Sequence, residues 1–252
     1  MRLGIIGGTG SSGLFPSGAA VTLPPSAHQW GAPSSPVSRT AIRGHEVLFL
    51  TRHGPPDGSA IAPHRVNYRA NVWVMHELKV DHLLAINTVG GISTAASPGR
   101  LLIPDQIIDY TWGRQHTYAG DGGRPLQHVD FTEPFDPTLR MRLLDAARHA
   151  GLDHLPTGTY GTTQGPRLES AAEITRLERD GCDVVGMTGM PEVGLARELL
   201  LSCAMCCLVV NHAAGRSPPG RTIHIEVADY LERGMRDVAR LIDSLLALLP
   251  GD

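Results

Sequence analysis

The sequence predicts an α/β fold, a mixed central β-sheet flanked by helices, with residues 1–252 forming one domain. Three observations predict it. Short apolar runs that end in glycine or polar turns recur at residues 3–8, 46–54, 81–91, 182–189 and 205–215, and continuous runs of this length suit strands buried on both faces. Segments with helical spacing lie between several of them, at 66–79, 137–151, 170–181 and 191–201, and a long one closes the chain at 224–249. Alternation of this kind places helices over a largely parallel or mixed sheet. The length of 252 residues matches the roughly 250 residues common for one α/β domain.

The first run, LGIIGG, leads into GTGSSG at residues 8–13, a G-x-G-x-x-G directly after a strand. A dinucleotide site would also need an acidic residue about 20 positions further on, and no Asp or Glu occurs between Gly13 and Glu46. Two other readings stand: a tight turn, or an anion cradle in which glycines let backbone N–H groups approach and Thr9 adds a hydroxyl. The second run, EVLFLTRHG, ends in Arg52 and His53, and an arginine fork suits a phosphate. The run at 81–91 carries Asn87 and Thr88, the run at 182–189 carries Thr188, and the last strand ends VVNHAAGRS with Asn211.

Ligands in such folds collect at the carboxyl ends of strands, so these residues are expected to form one site. Thr9, Arg52, His53, Thr88 and Thr188 make a set of donors with no matching acid, which is the chemistry of a free phosphate pocket. Asn211 offers one acceptor and two donors, fit either to tie down its own turn or to read the edge of a planar ligand. Residues 16–40 and 119–127, rich in Pro, Gly and Ser, read as surface connections.

Composition excludes several classes. A formal net charge of −3 gives no general attraction to a polyanion, so no nucleic-acid partner is expected. No stretch reaches the roughly 18 apolar residues of a membrane span, and the start of the chain lacks the pattern of a secretory signal; a soluble, cytoplasmic protein is expected. Cys203, Cys206 and Cys207 crowd SCAMCCLVV, where thiols act as small hydrophobes in a buried strand. A metal or redox reading of the C-x-x-C there lacks a second pair of ligands, and no metal site is expected.

IIGGTG (5–10), RHG (52–54), VNYRAN (66–71), PGRLLIPDQIIDYT (98–111), HVDFTEPF (128–135), QGPRLES (164–170) and GMTGMPEVGLARE (186–198) together resemble the trimeric purine nucleoside phosphorylase and S-methyl-5′-thioadenosine phosphorylase family. The resemblance spans nearly the whole chain. It implies a nucleoside phosphorylase-like fold, a homotrimer with sites near a subunit boundary, and a place in purine salvage. The implied reaction is cleavage of a purine nucleoside by inorganic phosphate as co-substrate, with no metal or organic cofactor. By position, Thr9, Arg52, His53, Asn87, Thr88 and Thr188 resemble the phosphate contacts, Met187 the methionine under the ribose, and His128 the histidine beside the sugar and 5′ group. Leu168 stands where the family often has phenylalanine. Asn211, Glu169 and His128 are the implied catalytic residues.

The family divides at the base. A 6-oxopurine presents O6 as acceptor and N1–H as donor; a 6-aminopurine presents the reverse. Ionised Glu169 accepts only, so it suits N1–H of hypoxanthine and opposes the N1 lone pair of adenine. It is the stronger discriminator of the two, because the Asn211 amide is free to rotate toward either base. The 6-amino branch has aspartates at the position of Asn211 and two residues later, where this chain has Ala213. Mispairing a polar edge in a closed site rejects a substrate by roughly 10⁴- to 10⁵-fold, so the expectation is a hypoxanthine-type base, with Asn211 stabilising N7 as it gains a proton.

The 5′ group is read from two sides. The motifs RHG, VNYRAN and HVDFTEPF are of the methylthio type, which combined with the 6-oxo edge implies S-methyl-5′-thioinosine. His224 aligns with the histidine that meets a 5′-hydroxyl and keeps inosine as the alternative, ahead of S-methyl-5′-thioadenosine. His212, next to Asn211, is open to the base, a neighbouring subunit or solvent. A nucleoside-binding module without catalysis, or a nicotinamide-dependent oxidoreductase, would be the remaining classes.

Overall fold

In a computed structural model, residues 1–15, 18–55, 58–120 and 124–249 are described. The elements in chain order are β1 (Arg2–Gly7), β2 (Ala19–Ala20), β3 (Ser38–Ile42), β4 (His45–Thr51), α1 (Tyr68–Glu77), β5 (His82–Gly91), β6 (Leu101–Leu102) and β7 (Gln106–Asp109), followed by α2 (Pro137–His149), β8 (His154–Leu155), β9 (Thr159–Thr162), α3 (Ala171–Arg179), β10 (Val184–Gly186), α4 (Gly189–Glu198), β11 (Ser202–His212) and α5 (Ile223–Leu248). The five apolar runs became β1, β4, β5, β10 and β11, and the five helical patterns became α1 to α5.

The sheet is mixed and branches at β5. Its main path runs β2-β3-β4-β1-β5-β10-β9-β7, while β11 leaves the path to pair with β5 and β6. β5 is parallel to β1 over Leu3–Gly7 and to β11 along most of its length. Its last two residues, Gly90 and Gly91, pair with β11 on one side and antiparallel with β10 on the other. Gly91 has to be a glycine, because a Cβ there would stand 1.7 Å from the Ala96 carbonyl oxygen.

Residues 16–40 are a correction to the loop reading: they hold β2, a 3₁₀ turn at Pro25–His28 and the start of β3. β3 alternates between half-buried and exposed residues, with mostly polar side chains, as an outer strand facing water does. Residues 16–17 and 121–123 of the two predicted connections lie outside the described residues.

The strands alternate between two cores. Ile5, Val47, Phe49, Leu84 and Ile86 meet Leu143 of α2 and Leu241 and Leu245 of α5 on one face. Ile6, Leu48, Leu50 and Leu83 meet Val72 and Met75 of α1 and Leu195 of α4 on the other. Truncating one of these side chains to alanine costs about 2–5 kcal/mol. Helix starts are set locally: Asp136 accepts from Leu139 N at 2.7 Å with Pro137 in the first position, and Ser170 and Glu173 close a capping box on α3. Both arrangements satisfy N–H groups that a helix leaves unpaired.

All four cysteines are free and buried. Burial raises the thiols of Cys203 and Cys207 and pushes that of Cys206 to about 12. Among the described residues no helix is long and apolar enough to cross a membrane.

Candidate active site

A cavity of 610 Å³ opens where β1, β4, β5, β10 and β11 deliver their polar residues, with the start of α5 along one side. Thr9, Arg52, His53, Asn87, Thr88 and Thr188 all line it. Thr9 follows β1 in the glycine-rich turn, where Ser11–Gly13 make one 3₁₀ turn instead of the long helix that a dinucleotide fold places there. Asn87 and Thr88 lie inside β5 and not at its end.

Arg52 is fully buried and completely organised by its neighbours. Its Nε and Nη2 donate to the two carboxylate oxygens of Glu192 at 2.8 and 2.7 Å. Nη1 donates to the Ile86 carbonyl and Nη2 to the Ile6 carbonyl, both at 3.1 Å. Burial works against the charge, and Glu192 outweighs it, so the guanidinium is held more firmly protonated than usual. The second proton of Nη1 has none of these partners. Gly8 is small for this reason: a Cβ there would sit 2.8 Å from Nη1.

His53 Nδ1 lies 2.8 Å from the Ile61 carbonyl. A carbonyl accepts only, so Nδ1 carries the hydrogen and Nε2 is the basic nitrogen. Burial and the charge of Arg52 hold His53 below its ordinary range, which keeps it neutral at neutral pH. Asn87 behaves differently from its neighbours: its amide nitrogen donates to the Met205 sulfur at 3.3 Å, and its buried Oδ1 has no partner among the described residues. It contributes shape and backbone to the cavity more than a side-chain donor.

Leu168, Glu169, Met187, Asn211 and Ala213 line the same cavity. The pairing of β11 with β5 slips between Val209 and Asn211, a bulge with Val210 as the extra residue. Bulges re-aim side chains beside functional sites, and this one turns Asn211 into the cavity at 8% exposure. The Asn211 amide nitrogen donates to the His212 carbonyl at 2.6 Å. Glu169, half-buried just ahead of α3, accepts from Thr163 Oγ1 at 2.6 Å. His224 is exposed and sits on the α5 side with Ile223, Val227 and Leu231.

Two expected residues stand apart. His128 is exposed and does not line the cavity of its own chain. His212 does not line the cavity and is half-buried; its ring Nδ1 and its backbone N–H both meet the Glu226 carboxylate at 2.9 Å.

Four residues were not foreseen. Glu192 lies inside GMTGMPE, but its partner is 140 positions away. Thr163 and Glu226 matter only through the side chains they hold. Arg114 has no acidic partner among its bonds: it donates to the carbonyls of Thr163 and Gln164 on one loop and of Met187 and Met190 on another. It thereby ties the segment bearing Glu169 to the segment bearing Thr188. A single arginine in TWGRQ gives no pattern from which this could be read.

The arrangement brings a fixed cation, hydroxyls, a carboxylate and an amide to one cavity. Such a site can hold an anion against one face of a ligand while hydrogen-bonding a planar heterocycle. Comparison with known proteins agrees. The Phosphorylase superfamily model matches residues 2–247. A protein of Pseudomonas syringae named as a probable S-methyl-5′-thioinosine phosphorylase is 46% identical over 96% of both chains, and the 6-oxopurine nucleoside phosphorylase of Pyrococcus furiosus is 44% identical over 83% of this chain and 80% of its own. The solved structure of methylthioadenosine phosphorylase from Schistosoma mansoni in complex with adenine superposes with a TM-score of 0.89 at 28% identity, covering 98% of this chain and 91% of that one. With a match over nearly its full length, this chain belongs to the phosphorylase superfamily.

Proposed function

We propose that the protein is a purine nucleoside phosphorylase that cleaves the glycosidic bond of 6-oxopurine nucleosides with inorganic phosphate, and that S-methyl-5′-thioinosine is its preferred substrate. One observation carries the reading: Glu169 and Asn211 share a single cavity with Arg52, Thr9, Thr88 and Thr188, and Ala213 leaves the base end without a second acid.

Phosphate held by Arg52 and the threonine hydroxyls attacks C1′ from the face opposite the base. The C1′–N9 electron pair leaves with the purine, and the proton that phosphate gives up on becoming an ester is balanced by the one the base gains. Glu169 accepts N1–H and holds the base in place, and Asn211 accepts from N7 as it is protonated, a bond that forms as the bond to the sugar breaks. The fixed guanidinium–carboxylate pair needs no reorientation during the reaction. No residue is required as a nucleophile, and the reading needs neither metal nor organic cofactor.

The 5′ preference rests on Ile223, Val227 and Leu231, which make that side of the cavity apolar and favour a methylthio group over a hydroxyl. The relatives named for S-methyl-5′-thioinosine point the same way. His224 on the same side supports inosine as the second substrate. His128 fits the role of a sugar contact only if it reaches the cavity of another subunit, and a homotrimer acting in cytoplasmic purine salvage completes the proposal. The test is release of free base from S-methyl-5′-thioinosine, inosine and S-methyl-5′-thioadenosine, each with and without phosphate, by the native protein and by Glu169→Ala. Phosphate-dependent cleavage of the two 6-oxopurine substrates, lost in the variant, is expected. Preferred cleavage of the adenine nucleoside, or cleavage that ignores phosphate, would overturn it.

A further inference from the structure

At the level of sequence Asn211 is a weak discriminator, because an amide that rotates can serve either purine edge. The structure removes that freedom. The Asn211 nitrogen donates to the His212 carbonyl at 2.6 Å, and this partner can only accept. Rotating the amide by half a turn would set Oδ1 against a carbonyl oxygen, two acceptors at contact distance with no hydrogen between them.

The carbonyl is itself held in place. Glu226, in the first turn of α5 and 2% exposed, accepts three donors from the turn that follows β11. These are the His212 backbone N–H and ring Nδ1, each at 2.9 Å, and Ser217 Oγ at 3.3 Å. The ring, the peptide and the turn are therefore fastened to the helix by one carboxylate, which its three donors keep below the usual carboxylate range even against the effect of burial. The His212 carbonyl lies in the next peptide unit, whose Ala213 N–H donates to the Gly91 carbonyl at 2.8 Å, so Glu226 fixes the ring and N–H side of His212 while β5 fixes its carbonyl side.

We infer that Glu226, acting through His212, is a positioning residue that fixes the amide sense of Asn211 and so makes Asn211 a base-specificity determinant. The fixed amide presents Oδ1 and one remaining N–H to the cavity. A 6-oxopurine matches both, offering protonated N7 and the O6 acceptor. A 6-aminopurine sets its amino donors against the amide N–H. The two ends of the base edge are then read independently, by Glu169 held on Thr163 and by Asn211 held through Glu226.

This inference rests on the reading of the cavity as a 6-oxopurine nucleoside site, and its test separates the two. The quantity is the ratio of kcat/KM for inosine to that for adenosine, and likewise for the two methylthio nucleosides, in the native protein, Glu226→Ala, Glu226→Gln and His212→Ala. Glu226→Ala is expected to lower the ratio at least tenfold, chiefly by raising activity on the adenine nucleosides relative to the hypoxanthine ones. Glu226→Gln keeps an acceptor for the His212 N–H and is expected to retain most of the discrimination. His212→Ala keeps the backbone bond and loses the ring bond, so it falls between them, and it serves if Glu226→Ala does not fold. Equal losses on both bases in His212→Ala and Glu226→Ala, with the ratio unchanged, would show a purely structural role and overturn the inference. A native protein with no preference for 6-oxopurines would overturn the underlying reading instead.

Discussion

Replacing Glu192 by alanine isolates the charge to which the proposed function assigns phosphate binding. In the native fold the Arg52 and Glu192 side chains are both fully buried, and the carboxylate takes two of the guanidinium's hydrogen bonds at 2.8 and 2.7 Å. The variant leaves a cation in a site without its counter-ion, and breaking a buried pair from one side costs about 3–5 kcal/mol. In a chain of this size each kcal/mol moves the midpoint by about 2–4 °C, so the melting temperature should drop by about 6–20 °C. Phosphate supplies the missing negative charge, so saturating phosphate should raise the melting temperature of Glu192→Ala more than that of the native protein. Removing both charges with Arg52→Met and Glu192→Leu should cost less than Glu192→Ala alone, since no uncompensated ion remains. Calorimetry at matched protein concentration, with and without phosphate, measures all three. The reasoning fails if Glu192→Ala melts within about 2 °C of the native protein, a shift worth at most ~1 kcal/mol, or if phosphate stabilises both proteins equally.

Three other outcomes follow from the site and its supports. Gly8→Ala puts a Cβ 2.8 Å from Arg52 Nη1 and 3.2 Å from the Ile86 carbonyl; the KM for phosphate should rise about tenfold, the equivalent of ~1.4 kcal/mol, with a smaller change in the KM for nucleoside. Ser170→Ala removes the cap of α3 and should cost about 1 kcal/mol in urea unfolding, while also raising the KM for nucleoside because Glu169 is the residue just before the cap. Burial and Arg52 hold His53 below its ordinary 6.5, so its neutral form contributes stability that is complete above that value and is lost as the pH falls toward the lowered one. Stability measured by urea unfolding should therefore decline below about pH 6.5, and His53→Gln should flatten part of that decline; an unchanged slope would remove His53 from the account.

The sequence was most legible where one short run decides the structure by itself. VLFL, LLAIN and CLVVN are buried on both faces, and their continuous apolar character announces β4, β5 and β11 without any knowledge of partners. β3 gave no such signal because SRTAI alternates between half-buried and exposed positions, and β6 and β8 are two residues long, too short for any period to show. In the site, the residues carrying a charge or hydroxyl at a strand end were legible because α/β topology gathers those ends. What stayed hidden was the layer behind them. Glu192 beside Arg52 and Arg114 spanning two loops act through contacts between distant segments, and pairing across the chain leaves no local trace; Thr163 beside Glu169 is a loop contact six residues apart with no regular period to announce it. Asn87 shows the same limit from the opposite side: its place in the sequence marks a polar donor, and only the position of Met205 shows that the donor is spent on a sulfur.

The cysteines of β11 have a use that has nothing to do with catalysis. Cys203, Cys206 and Cys207 lie on the strand paired with β5 at the branch of the sheet, and Cys182 lies just ahead of β10. All four thiols are buried and held above their ordinary range by that burial, so the intact fold offers an alkylating reagent almost no thiolate to attack. Labelling then proceeds only as fast as the chain opens. Mass analysis of which sulfur is modified first would read, with no engineered probe, whether β11 opens before, after or together with the segment leading into β10, and would turn the native thiols into a clock for the opening of the middle of this sheet.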